Sequence, residues 1–377
     1  MEVTVAANTI RSGGPLTGTG NLDIKGPGIV SFGKNSVTTL GNTYSGTLTV
    51  KSGGTLDIRN PDSMGATGTS ARTVIEAGGT LLINPFSQPL GVAFNAETLE
   101  FQGTSTLINR NQSPTAATTN TLQGPVSIAD TLNVYSLSSG GAATLELSGA
   151  ITGSGGINFG GSGQAGIYLM AGNSNTYSGP TALTAGTLVI NGDQTSATGN
   201  VSVSGTLAGN GGTVGGNTTV NSGGKLALGN GTAGSVGSET FKGDLTLAAD
   251  SIFNWDLTAE STATGFDQVI GTSGKTFDAT ASAFRVITDQ SFDTLFWDVQ
   301  RNWTTIFSTF GTTTGWAANT PVAVYTTLGV LRTDVAVEGS FTVTGGNLSW
   351  NFSPVPEPTS ALAGMLMGAG LLRRRRS

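Results

Sequence analysis

The 377-residue chain contains no cysteine and no histidine. Without cysteine there can be no disulfide and no thiolate metal site. Without histidine the commonest general base and the commonest metal ligand are both missing. Charge is scarce as well, at 11% of residues. The formal net charge is −6, and setting aside Arg373–Arg376 leaves 13 basic against 23 acidic residues. An acidic body argues against nucleic acid or anionic lipid as a partner. A disordered chain would carry more charge and fewer branched apolar residues. Met1-Glu2-Val3-Thr4-Val5 offers no basic n-region and no apolar h-region, so no secretory signal is visible. The expectation is that this start lies inside a longer protein.

What the chain has in abundance is glycine, 58 residues of it, arranged in repeats. Asn42-Thr43-Tyr44-Ser45-Gly46 leads through Thr47–Val50 to Gly53-Gly54 and Thr55-Leu56-Asp57-Ile58. The pattern returns as Asn175-Thr176-Tyr177-Ser178-Gly179, then Ala185-Gly186 and Thr187–Ile190. Shorter echoes are Val74–Ile83 and Thr219–Leu228, and a second unit, apolar-Thr-Gly-(Thr/Ser)-Gly, occurs at Leu16–Gly20 and Ile151–Gly155. Alternation of apolar and Thr/Ser residues predicts short strands with one face inward. In Thr55–Ile58 it points Leu56 and Ile58 inward and leaves Thr55 and Asp57 in water. Glycine supplies the positive φ that tight corners need. Helix formers are too scarce for βαβ units, so stacked coils, each stable only against its neighbours, are the natural solution. The expected fold is all-β: a right-handed parallel β-helix, or β-solenoid, over residues 1–239.

This repeat looks like the autotransporter-associated β-strand repeat of bacterial surface proteins, best over Gly149–Asn230 and again over Gly14–Asn60. The resemblance implies a β-helical passenger-type fold at the cell surface. Autotransporters end in a membrane β-barrel, whereas this chain ends differently, so self-translocation is not implied.

Composition changes near Thr240. All five tryptophans and eleven of the sixteen phenylalanines lie beyond it, with only 13 of the glycines. Large side chains imply a thicker core, read as an aromatic-rich β cap or small β domain over 240–353. Strands are expected at Leu245–Leu247, Ile252–Leu257, Phe284–Thr288, Val322–Thr326 and Gly339–Thr344. The spacing of Phe292, Phe296, Val299, Trp303 and Ile306 predicts a short amphipathic helix.

Residues 354–377 form a third unit. Pro356-Glu357-Pro358 leads to the apolar run Ala361–Leu372, which includes Leu362, Leu366 and Leu371, and then to Arg373, Arg374, Arg375 and Arg376. Proline keeps the first part extended and out of any helix. The apolar run, read as a short hydrophobic helix, would span about 18 Å, and arginine snorkelling extends its reach. The arginines resist crossing a bilayer and stay on the cytoplasmic side. In motif, order and position this tail resembles the PEP-CTERM sorting signal of Gram-negative bacteria. That resemblance implies processing near Pro356–Pro358 by an exosortase-like membrane transpeptidase. It further implies transient inner-membrane anchoring, then residence at the cell surface or in an extracellular polysaccharide matrix.

Candidate chemistry is sparse. Gly161-Ser162-Gly163-Gln164-Ala165-Gly166 has the GxGxxG spacing, but the following Ile167–Met170 reads as strand rather than the helix a dinucleotide site needs. The GGxGxD series of calcium-binding β-rolls is not reproduced. Carboxylates that could serve polysaccharide cleavage are Asp57 and Asp62 near Arg59, and Asp289, Asp293 and Asp298 near Arg301. Asp298 and Arg301 would more simply form a helix-surface ion pair. The reading is therefore an exported, non-enzymatic structural or adhesive protein with no cofactor and no catalytic or metal-binding residue. A β-helical polysaccharide-degrading enzyme and a glycan- or protein-binding module are the alternatives.

Overall fold

The structure is a computed structural model that describes residues 2–4, 9–12, 14–33, 39–67, 71–85, 91–113, 115–160 and 166–353. The protein is almost all β, with 47% strand and 1% helix. Two thirteen-stranded sheets run most of its length, joined by a seven-stranded sheet at the N-terminal side and a four-stranded one towards the C-terminal side. The chain visits them in turn. Arg72–Ile75 lies in the seven-stranded sheet, Thr80–Ile83 in the first long sheet and Ala93–Phe94 in the second, and Thr98–Phe101 then returns to the beginning. Each strand pairs in parallel with the strand one circuit later, as in Leu56↔Leu81 and Leu81↔Leu107, a period of roughly 25 residues. Circuits of this kind are consistent with a solenoid.

The inward rows behave as alternation requires. Leu56, Ile58, Leu81 and Ile83 are fully buried. Leu188 sits in an inward row with Tyr168, Leu207, Leu226 and Phe253. Its neighbour Val189 points the other way, yet it is buried too, because the loop around Gly231 lies over Thr187 and Ala208 on that outer face. The expected corners are present: Gly53, Gly78 and Gly223 all have φ between 74° and 78°. At another corner Gly179, Gly199 and Gly216 form a column, and a Cβ on either of the latter two would collide with the carbonyl of the glycine one coil earlier.

The repeated motifs are clips between coils. Asn175 Oδ1 accepts the amide of Ile151 at 2.5 Å while its Nδ2 donates to Gly172 O at 2.9 Å. Thr176 N then donates to Ile151 O, and Ser178 N to Gly153 O. Asn42 repeats this on Leu16, accepting its amide at 2.6 Å, and Ser45 N donates to Gly18 O. The Asn-Thr-Tyr-Ser-Gly unit of one coil therefore docks on the apolar-Thr-Gly-(Thr/Ser)-Gly unit of the coil before it.

Parallel pairing crosses residues 239 and 240 and continues to Tyr325. There the second long sheet turns antiparallel, through Trp316–Tyr325, Gly339–Gly345, Asn347–Phe352 and Arg301–Trp303. Strands occur at Leu245–Leu247, Ile252–Asp256 and Ala283–Ile287. Trp255, Trp297, Trp303 and Trp350 are all fully buried. Trp303 meets Trp255 edge-on with ring centres 5.6 Å apart, and Trp350 stacks on Phe292 at 5.1 Å. Four indoles donate to carbonyls, among them Trp350 to Trp297 O at 2.7 Å. The helix expected over Phe292–Ile306 is not formed. That segment is a turn followed by the strand Arg301–Trp303, because its aromatics pack from several directions around one core rather than along a helical stripe.

Candidate functional site

The residues expected to act in sorting, Pro356, Glu357, Pro358, Ala361, Leu362, Leu366, Leu371, Leu372 and Arg373–Arg376, lie outside the described residues, as does the expected hydrophobic helix. Among the described residues, no helix is long and apolar enough to cross a membrane. The last described residue, Ser353, is held by its amide to Glu338 O at 2.9 Å.

Asp57 does not face water. It is 2% exposed, and a single oxygen, Oδ2, accepts from Arg59 Nε at 3.0 Å and Nη2 at 2.7 Å. The strand alternation is correct; the outer face at this level is covered. After Ile58 the chain turns back at Asn60–Met64, with Ser63 Oγ accepting the amides of Arg59 and Asn60, and Asn84 from the next coil adds its amide group. Asp62 has a separate task. It accepts the backbone amides of Leu40, Gly41 and Asn42 at 2.7–2.9 Å, an anion held in a nest of N–H groups. Both carboxylates accept from donors of the chain itself.

The second acidic group is likewise dispersed. Asp289 accepts from Thr327 N and Oγ1, and the Thr327 hydroxyl holds its carboxyl below the usual range. Asp293 accepts from Ser291 Oγ at 3.3 Å. Asp298 is exposed, and the ion pair expected with Arg301 is replaced: Arg301 Nε donates to Phe296 O at 2.7 Å and its guanidinium lies 4.3 Å over the Phe296 ring. Gly161–Ala165 falls outside the described residues, and Gly166 runs into the strand Ile167–Met170. Among the described residues, no group of three or more Asp or Glu is placed to hold a metal ion.

The carboxyls most altered by their surroundings were not singled out from the sequence. Glu97 is 1% exposed, and burial pushes its carboxyl up to about 8, with the hydrogen bond from Thr73 only partly offsetting this. Glu239 is fully buried in an inward row between Gly212 and Val269, in space left by Gly209 and Gly212, and burial raises its carboxyl well above the usual range. Asp267 is raised by burial and then by the charge of Asp256, whose own carboxyl burial pushes up to about 7. These two aspartates pin backbone: Asp267 accepts the amides of Gly237 and Asp256, and Asp256 accepts that of Gly234. Strand parity could have found Glu239, since Phe241 two positions on also points inward. All four are closed off from solvent.

Among the described residues, a polar trough of about 500 Å³ opens on the outer face of the first long sheet. Its floor is the ladder Ser202, Thr219 and Thr246, one hydroxyl per coil. One wall stacks Asn217 and Asp244: Asn217 Oδ1 accepts Asp244 N at 3.0 Å, and Asp244 Oδ1 accepts Thr276 N at 2.8 Å. The other is Asn221, whose Nδ2 donates to Ser202 Oγ and Ser204 Oγ. This arrangement offers hydroxyl and carboxamide groups and the Asp244 carboxyl at a regular rise.

No protein-family model matches the chain, and no curated protein matches it.

Proposed function

We propose that this is an exported, non-enzymatic structural or adhesive protein, a right-handed β-solenoid rod that an exosortase-like enzyme sorts through its C-terminal tail. The observation that carries the reading is the order Pro356-Glu357-Pro358, apolar Ala361–Leu372, Arg373–Arg376. An extended peptide is what a membrane protease grips, the apolar run holds the chain at the bilayer, and the arginines stop it. The body supports a mechanical role: parallel coils clipped by Asn42 and Asn175 give a stiff element with a long polar surface. The antiparallel strands Trp316–Phe352 serve as the cap that a stack of coils requires against edge-to-edge association. The non-enzymatic part is supported by the structural use of Asp57, Asp62 and Asp289. In cells with the processing enzyme, Glu357→Ala should leave the full-length chain in the inner membrane while the parent chain is released. Equal release of the two overturns the proposal.

The polar trough favours one second reading, a glycan-binding module, in which an extracellular polysaccharide lies along Ser202, Thr219 and Thr246. It would show saturable binding without turnover.

A further inference from the structure

Of the seven exposed large hydrophobic side chains among the described residues, four, Leu328, Val330, Leu331 and Val337, fall within ten consecutive positions, and Leu328 is 90% exposed. Clustered apolar exposure on a protein surface marks a place where something binds. Beside them lies a groove of about 300 Å³, mostly apolar, between Pro321–Val324 of the antiparallel sheet, the returning Leu331–Thr333 and the short helix Val335–Glu338. Pro321, Ala323, Leu331 and Ala336 line it and are open to water, and Val335 and Phe341 form buried parts of its wall.

The described chain ends at this groove. Ser353 is fastened to Glu338 O, and Gly339, the next residue, is part of the groove lining. Another 24 residues follow, 354–377, among them the apolar run Ala361–Leu372. From Ser353 to Ala361 an extended chain reaches up to roughly 28 Å, and the helix to be passed, of four residues, is only about 6 Å long. In water that run would leave its leucines and methionines unburied at about 25 cal/mol per Å², and the groove adjoins the point where Ser353 is fastened.

We propose that Ala361–Leu372 seats in this groove while the chain is in aqueous solution and exchanges it for a bilayer on reaching one. The seating requires nothing of the processing enzyme; the exchange rests on the sorting reading. Because the chain has no cysteine, paired cysteines can test it without background. The full chain carrying L331C and L366C is oxidised in dilute solution and compared with T219C/L366C, whose first cysteine lies in the distant polar trough. The expected result is at least tenfold more internal disulfide in the groove pair. An A336C/L366C chain, whose first cysteine also lines the groove, guards against local distortion at Leu331 and should match it. Equal yields, or disulfides only between chains, overturn the seating, the latter in favour of a second copy on the groove. With vesicles of zwitterionic phospholipid added before oxidation, cross-linking should fall at least fivefold, and persistence at the lipid-free level overturns the exchange. Since no protease is present, failure of either arm leaves the sorting reading standing.

Discussion

Asn175 offers the sharpest test of how the coils hold together. The residue is 1% exposed, and the Ile151 side chain beneath it is fully buried. Replacing it with alanine removes the acceptor of the Ile151 amide, 2.5 Å away, and the donor to Gly172 O at 2.9 Å. The two losses differ in size. Ile151 N–H is left unpaired in the interior, which costs about 1–3 kcal/mol. Gly172 O keeps a long bond from Gln194 Nε2 at 3.4 Å, so its loss is closer to ~1 kcal/mol. The sum, about 2–4 kcal/mol, is local, since each coil is stabilised by its neighbours alone. Global melting is therefore the wrong readout. Amide hydrogen exchange reports local opening directly, and with tenfold per 1.4 kcal/mol the Ile151 amide of Asn175→Ala should exchange about a hundredfold faster than in the parent. Amides around Leu56, four coils away, should be unchanged. The same substitution at Asn42 should have a smaller effect, because Leu16 is partly exposed. An Ile151 amide that exchanges within threefold of the parent rate would refute the idea that this side chain clips the coils.

Two further perturbations probe the interior. Glu97 keeps its proton in the folded chain up to about pH 8, whereas in the unfolded chain it ionises near the ordinary glutamate value of about 4.3; the folded state thus binds the extra proton between these limits, and stability falls as pH rises through that window. Denaturant midpoints measured from pH 4 to pH 9 should show Glu97→Gln declining less than the parent, and parallel curves would contradict the assignment. Gly199→Ala places a methyl group against the carbonyl of Gly179 and close to Pro180 N, both backbone atoms that cannot swing aside. The coils near Thr181–Val203 should open, raising protease cleavage there at least tenfold, while Gly211→Ala, where a Cβ meets nothing within 4 Å although φ is positive, should cost only about 1–2 kcal/mol.

Strand parity and glycine corners were legible because both are local. Leu56 and Ile58 alternate with Thr55, and Gly53-Gly54 marks a turn wherever the rest of the chain goes. Leu245–Leu247 was read with its bounds unchanged for the same reason. What escaped the sequence depends on which segments lie over one another. Asp57 obeys the alternation but is sealed by the turn at Asn60–Met64, and Val189 is sealed by the loop around Gly231. Asn175 and Ile151 are both visible as motifs, yet nothing in either says that one docks on the other. Phe292 to Ile306 has helical spacing by coincidence: an aromatic core that receives rings from every side imposes no period on the segment that supplies them.

Coil circumference ties these observations together. Leu107 pairs with Val134, but Val203 pairs with Val220, so the circuits grow shorter along the chain. The seven-stranded sheet stops at Ile151–Thr152, before that narrowing, and the four-stranded sheet opens at Gly212–Val214 as the circuits lengthen again. A short circuit encloses little volume, so its interior takes Val203, Leu207, Val220 and Leu226 and its corners must be glycine, as at Gly199 and Gly216. On its outer face Ser202 is open to water, and it forms the floor of the trough with the half-buried Thr219 and Thr246. Once the circuit widens, the added interior has to be filled at crystal-like density, and Phe253, Trp255 and Trp303 fill it. The shift from glycine to aromatic residues near Thr240 accompanies this widening, and parallel pairing runs through it without a break.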